Sequence, residues 1–156
     1  MADINKQSDQ FIDFLLAALD HGIDSIEDNG WPLIPFVITQ FDEQKELKRC
    51  LTDTIEEGQV MAEQILKTMD PKPDFGVIVF DGFVHMNGEK IDAIIARAFD
   101  KTQDEGFMFA ACYTLNEGWE SITRIEQPPA FIGKEDNILY SVTELTQKKK
   151  PFWKVW

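Results

Sequence analysis

The stretch that most constrains the fold lies in the middle of the chain, where two apolar runs flank Asn87-Gly88. Asn-Gly is a preferred pair for a type I′ hairpin turn, because both residues tolerate positive φ angles. A hairpin about this turn fixes the register, since a slip of one residue would exchange the two faces. The predicted pairs are Met86 with Glu89, Val84 with Ile91, Gly82 with Ala93, Phe80 with Ile95, and Ile78 with Arg97.

A helix beginning at Glu89 is the alternative for the second half of this stretch. Its apolar stripe would contain Ile91, Ile94, Ile95 and Ala98, so periodicity alone fits both structures. The turn residues, and the need of the strand FGVIVF for a partner, favour the hairpin.

The hairpin register gives residues 78–98 one apolar face and one mixed face. The mixed face carries Asp81, Phe83, His85, Lys90, Asp92, Ile94, Ala96 and Ala98. Its apolar members are too numerous for a face left wholly in water. We therefore expect a homodimer or another protein partner to cover it, with Phe83 and Ile94 as contact residues.

The remaining elements follow from periodicity and from turn and cap residues. Ser8 is a candidate N-cap for a first helix that ends near Asn29-Gly30, and Thr54 with Glu57 form a capping box for a second helix, ended by the prolines after Asp70. Alternation and β-branched or aromatic content predict further strands at residues 33–40, 45–51, 107–115 and 119–127. Residues 130–147 are left unassigned.

These elements predict one α+β domain spanning residues 1–156. Two helices pack on one face of a mainly antiparallel sheet of five to six strands, in the order α-β-β-α-β-β-β-β. A chain of this size needs neither disulfides nor a structural metal to fold.

Charge is distributed unevenly along the sequence. Residues 1–146 hold all 28 acidic and 11 of the 15 basic side chains, a balance of −17, whereas the last ten residues contribute +4. Because phosphate neutralisation supplies most non-specific affinity for nucleic acid, the acidic body argues against nucleic-acid partners.

No apolar run approaches the roughly 20 residues of a spanning helix, and no secretory signal precedes the first helix. We expect a soluble, cytoplasmic protein with reduced thiols and no membrane insertion.

Candidate catalytic residues are few. His85 and Cys112 are the only plausible base and thiol nucleophile, because a catalytic thiol needs a neighbour that keeps it as thiolate. Asp81 and Asp92 share the mixed face and could form a carboxylate pair. The structural alternatives are a buried thiol, a surface histidine, and an Asp81-Gly82 bulge. Nucleotide, hydrolase and metalloprotease motifs are absent from the sequence, so no metal or cofactor is expected.

The segment from 148 to 156, KKKPFWKVW, has the composition of an interaction element. It combines large apolar groups with four lysines, and its candidate contact residues are Lys148, Lys149, Lys150, Phe152, Trp153 and Trp156. We expect it to pack its aromatic rings on the body while its lysines face the acidic surface. Docking on a neighbouring subunit is the next alternative. Binding to an anionic membrane is the third, although the −17 body opposes it.

The motif residues of the chain resemble those of an uncharacterised group of bacterial proteins of similar size. The resemblance covers residues 32–133 and rests on LIPF at 33–36, DGF at 81–83, Gly88, DAI at 92–94, Tyr113 and FIG at 131–133. It supports a strand at residues 89–99 and carries no known activity. The element order is also similar to the roadblock-like arrangement, in which a helix layer covers one face of an antiparallel sheet and the other face can dimerise; this is a topological analogy only.

These observations favour a non-enzymatic protein-binding or structural module. Within that class, an acidic immunity-type inhibitor of a basic toxin or nuclease fits the charge. The alternatives are a small enzyme that uses His85 and Cys112 or Asp81 and Asp92, and a membrane-peripheral adaptor that acts through residues 148–156.

Overall fold

The computed structural model describes residues 8–29, 33–116, 122–125 and 128–139. Two helices and seven strands make up this part of the chain. They are α1 (Asp9–Asn29), β1 (Phe36–Phe41), β2 (Gln44–Arg49), α2 (Ile55–Thr68), β3 (Phe75–Met86), β4 (Glu89–Asp100), β5 (Glu105–Leu115), β6 (Ile122–Arg124) and β7 (Ala130–Asp136). The predicted α+β class and element order are confirmed, and β7 adds one strand within the residues that the sequence left unassigned.

All strand pairs are antiparallel, and the sheet order is β2-β1-β3-β4-β5-β6. β7 also pairs with β5, along residues 105–110, while β6 pairs with residues 113–115. The central hairpin has the predicted register throughout, from Met86 opposite Glu89 to Ile78 opposite Arg97. Its turn residues Asn87 and Gly88 have φ angles of 53° and 81°, as the predicted type I′ turn requires.

The end of this hairpin that carries the turn extends beyond the neighbouring strands β1 and β5. β1 pairs with residues 75–79 of β3, and β5 pairs with residues 93–98 of β4. Among the described residues, the ladders therefore leave residues 83–86 and 89–92 paired with each other alone. We call these residues the hairpin tip.

The prediction that both helices pack on one face of the sheet is wrong. α1 shares its core with Val77 and Val79, whereas α2 packs with Ile78 and Phe99. Because successive strand residues point to opposite faces, the two helices lie on opposite sides of the sheet. A helix layer on one side only, as in the roadblock-like analogy, is thus not what this chain forms.

The physical reason is that both faces of β3 and β4 are apolar at the end away from the turn. Ile94, Ala96 and Ala98 of the mixed face are fully buried beneath α1. A Cβ at Gly22 of α1 would lie 2.7 Å from Ile94 Cγ2, which shows how closely the helix approaches. The expectation that a partner covers this part of the mixed face is therefore wrong, since α1 covers it.

An ionic cluster joins the elements on the α2 side. Arg97 of β4 donates two hydrogen bonds to Glu135 of β7, at 2.9 and 2.7 Å, and one to Glu63 of α2, at 2.6 Å. The Arg97 side chain is only 11% exposed, so its charge is compensated by the two carboxylates and not by water.

The chain after β7 is anchored by Asn137, which is fully buried. Its amide nitrogen donates to the carbonyl oxygens of Asp100 and Gln103, at 2.8 and 2.9 Å, and its side-chain oxygen accepts the Leu139 N–H at 2.9 Å. The last described residues are thereby held against the connection between β4 and β5.

Candidate functional site

The structure does not bring His85 and Cys112 together. His85 lies on the α1 side of the sheet, on the same face as Phe83, whereas Cys112 packs on the other side with Ala93 and Ala110. Burial raises the pKa of the Cys112 thiol, which opposes the thiolate that a nucleophile requires. The enzyme hypothesis that uses this pair is contradicted by their placement.

Asp81 has a structural contact within the sheet. It is nearly buried and accepts a hydrogen bond from the Tyr113 hydroxyl at 2.6 Å. This bond joins β3 to β5 across β4. Asp92 lies on the same face, opposite Phe83 in the ladder, and is partly exposed. In the described part of the chain, no three His, Cys, Asp or Glu side chains are grouped so as to hold a metal ion.

The predicted contact residues have different surroundings. Ile94 is fully buried beneath α1, so its predicted role in partner contact is wrong. Phe83 is 48% exposed at the hairpin tip, where Lys90 Nζ lies 4.3 Å from its ring centroid and the His85 ring meets it edge to face at 5.5 Å. The predicted contact residues of the C-terminal segment, Lys148, Lys149, Lys150, Phe152, Trp153 and Trp156, lie outside the described residues.

The solvent side of α1 carries acidic side chains from its first turn to its last. All six of its carboxylates are exposed, and the helix contains neither lysine nor arginine. With 3.6 residues per turn, they fall within an arc of roughly 100° and extend over about 29 Å of helix. We call this set the acidic face: Asp9, Asp13, Asp20, Asp24, Glu27 and Asp28.

The helix presents this face because its opposite side is bound to the sheet. Its buried side chains recur at three- and four-residue intervals: Phe11, Phe14, Leu15, Ala18, Leu19, Gly22, Ile23 and Ile26. Ser8 caps the helix by accepting the Phe11 N–H at 3.2 Å. Asp20 of the acidic face has an ionic partner, since its carboxylate lies 2.6 Å from Arg124 Nη1 of β6.

A cleft of about 980 Å³ opens beside the first turn of α1, at the end of the sheet opposite the hairpin tip. We call it the sheet-end cleft. Three connections and the start of α1 surround it, and its lining residues are Ser8, Gln10, Phe41, Asp42, Glu43, Gln44, Asp74, Phe75, Asp100, Lys101 and Thr102.

One of the four carboxylates in the cleft joins its loops, and a second stabilises the loop that carries it. Asp74 lies 2.8 Å from Lys101 Nζ and accepts the Asp42 N–H at 2.7 Å; the Lys101 hydrogen bond first, and then the Asp42 amide, lower the pKa of Asp74. Asp100 accepts the backbone N–H and the hydroxyl of Thr102, at 2.9 and 2.8 Å. The carboxylates of Asp42 and Glu43 belong to exposed residues at the margin.

Sequence reasoning missed both the acidic face and the cleft. The acidic face had a readable signal, because residues 9–29 carry six carboxylates at helical spacing and no lysine or arginine. The cleft had none, since its walls come from three connections that are distant in the sequence and adjacent only once the sheet has formed.

No helix among the described residues is both long and apolar enough to cross a membrane. Comparison with known proteins finds no matching family model, no matching curated protein and no matching solved structure. The resemblance to the bacterial group therefore rests on its motif residues alone.

Proposed function

We propose that this chain is a protein-binding module whose acidic face recognises a basic partner. The observation that carries the proposal is the alignment of six exposed carboxylates, without a lysine or arginine, along the whole of α1. Such a surface steers a basic protein towards itself and fixes its orientation, because complementary potentials accelerate encounter.

The arrangement reduces the stability of the helix that carries it. Asp9 and Asp13, Asp20 and Asp24, and Asp24 and Asp28 are like-charged neighbours four residues apart, each pair destabilising by about 0.3 kcal/mol. Glu27 and Asp28 stand at the carboxyl end, where the helix dipole disfavours negative charge by about 0.5 kcal/mol per group. Asp9 in the first turn recovers about 0.5 kcal/mol, so the net cost is about 1.4 kcal/mol. A charge pattern that helix stability disfavours supports a role in binding.

A partner of a different kind fits this face better than a second copy of the chain. Two acidic faces would repel each other, and like-charge juxtaposition disfavours association. An inhibitor of a basic toxin or nuclease is the subclass whose partner has the required charge. The homodimer predicted from the mixed face loses its main support, because α1 buries most of the apolar residues of that face.

The test compares two variants with equal loss of charge. In the first, Asp13→Asn, Asp24→Asn and Asp28→Asn remove three of the six charges of the acidic face; in the control, Glu46→Gln, Glu56→Gln and Glu89→Gln remove three exposed charges elsewhere. A partner identified by affinity capture is purified, and its Kd for each chain is measured calorimetrically at low and high salt.

We expect a partner of high isoelectric point whose Kd weakens about tenfold with the first variant and about as much with added salt. The control should bind like the wild type. Equal affinity of the two variants, or a Kd that is insensitive to salt, would contradict the proposal.

A further inference from the structure

We infer that the sheet-end cleft receives the basic aromatic segment, residues 148–156, of the same chain. The inference concerns a contact within the chain, so it does not depend on the proposed basic partner. It rests on where the described chain ends, on the length that follows, and on opposite charge.

The described chain ends beside the cleft. Asn137 is bonded through its side chain to the carbonyls of Asp100 and Gln103, and its own N–H donates to the Asp104 carbonyl at 3.2 Å. Asp100 also lines the cleft. Leu139, two residues further on, is fully buried on the α2 side of the sheet, where it packs with Ile78 and Phe99. The following residues therefore start from a fixed point at the same end of the sheet as the cleft.

The intervening chain is long enough. Eight residues, 140–147, separate Leu139 from Lys148, and at about 3.3 Å per residue they span up to roughly 26 Å when extended. A cleft whose wall is joined by hydrogen bonds to Asn137 lies well within that distance. The short tether also favours a contact within the chain over one with a free partner, because it raises the effective concentration of the segment.

The chemistry of the two surfaces is complementary. The segment carries four lysines and three large aromatic rings, with no acidic residue. The cleft has four carboxylates against one lysine, together with the rings of Phe41 and Phe75. Asp74 and Asp100 are engaged in holding the loops, which leaves Asp42 and Glu43 to receive lysine ammonium groups while the segment's aromatic rings cover Phe41, which is partly exposed.

The first test locates the contact in the full chain. A carbodiimide joins a carboxylate to an amine only when the two touch, and mass spectrometry then identifies the linked residues. We expect links from Lys148, Lys149 or Lys150 to Asp42 or Glu43 within one chain. A mixture of isotopically light and heavy chains distinguishes these from links between copies, and links that form only between copies would overturn the inference.

The second test measures release of the segment. Asp42→Asn with Glu43→Gln removes two charges from the cleft margin, and asparagine suits position 42 because the native φ there is 53°. The matched control, Glu89→Gln with Asp92→Asn, removes two charges at the hairpin tip. Trypsin cleavage after Lys148 or Lys149 reports the open population, and thermal unfolding monitors the fold.

We expect cleavage to be about fivefold faster in the cleft variant, as two partly exposed ion pairs are lost, and unchanged in the control at equal thermal stability. Equal cleavage rates in the two variants, or links that join the lysines to carboxylates outside the cleft, would overturn the inference.

Discussion

The two helices differ in the charges at their ends, although each covers one face of the same sheet. The ends of α2 carry favourable groups: the Thr54 hydroxyl accepts the Glu57 N–H at 3.1 Å, acidic residues occupy the first turn, and Lys67 occupies the last. Lys67 lies 3.8 Å from Glu63, which also binds Arg97. α1 shares the cap but carries acidic residues to its carboxyl end, and its last turn has no basic residue. The difference is that the charges at both ends of α2 favour the helix, whereas those at the carboxyl end of α1 oppose it.

The largest expected effect is on the α2 side, where charge has a structural role. Arg97→Ala leaves Glu63 and Glu135 without their shared cation in a partly buried site, so we expect a loss of about 3 kcal/mol in the free energy of unfolding. Urea denaturation measures it. Arg49→Ala on the fully exposed strand β2 is the control and should change the value by less than about 0.5 kcal/mol. Similar losses in both variants would show that the ionic cluster contributes nothing particular.

The next effect concerns the glycine that each helix places close to a neighbouring side chain. A Cβ at Gly58 of α2 would lie 2.8 Å from Pro35 Cγ and 3.0 Å from the Cys50 carbonyl oxygen. Because a proline ring and a backbone atom yield little, we expect Gly58→Ala to destabilise by about 2 kcal/mol despite the higher helix propensity of alanine.

The corresponding change in α1, Gly22→Ala, meets the side chains of Ile94 and Val79, at 2.7 and 3.1 Å. We expect a smaller loss of about 1 kcal/mol, because side chains adjust more readily than backbone. Chemical denaturation of the two variants side by side checks the order, and a larger loss at Gly22 would reverse our view of which helix is packed more rigidly.

The third prediction has the opposite sign. Glu27→Gln with Asp28→Asn removes two negative charges from the carboxyl end of α1, so we expect the free energy of unfolding to rise by about 1 kcal/mol at low salt. Lys67→Gln in α2 should lower it by about 0.5 kcal/mol. Thermal melting at two salt concentrations measures both. If these two substitutions do not raise the free energy of unfolding, the carboxylates at the end of α1 do not destabilise the helix. The two helices would then not differ in the effect of their end charges.

The smallest effect is the pH dependence of the cleft. The folded-state pKa of Asp74 is lowered from 3.8, so its contribution to stability is present above that pH and is lost as the pH falls through the lower folded value. Asp74→Asn should therefore flatten the acid limb of the stability curve, by less than about 1 kcal/mol because the pair with Lys101 is largely exposed. Urea titrations from pH 2 to pH 6, roughly the window in which an aspartate titrates, provide the check. An unchanged acid limb would show that the contacts of Asp74 with Lys101 and the Asp42 N–H do not stabilise the fold.

Local chemistry made much of the fold predictable from the sequence. Asn87-Gly88 determined the hairpin and its register, and Ser8 and Thr54 marked both helix starts, because turns and caps depend on residues close in sequence. The face that each helix covers was not predictable in this way. Alternation divides Ile78 from Val79, but the distribution of helices over the two faces depends on packing between distant segments.

The candidate site was harder to predict from the sequence, because it too depends on packing between distant segments. Ile94 was assigned to a contact surface because its face is mixed, whereas in the structure the buried stripe of α1 meets its apolar half. The sheet-end cleft requires Asp42, Asp74 and Lys101 to converge from separate connections, which no spacing in the sequence encodes.

The unequal support of the central hairpin has a consequence for its motions. Residues 75–79 of β3 lie between two paired strands, whereas the hairpin tip has a single ladder, and two-stranded ribbons are marginally stable by themselves. Amide protons near Ile78 should exchange with solvent only when the whole domain unfolds, while those near the Asn87-Gly88 turn exchange through local fraying. We therefore expect the exposed ring of Phe83 to move with the hairpin tip without disturbing the core beneath α1.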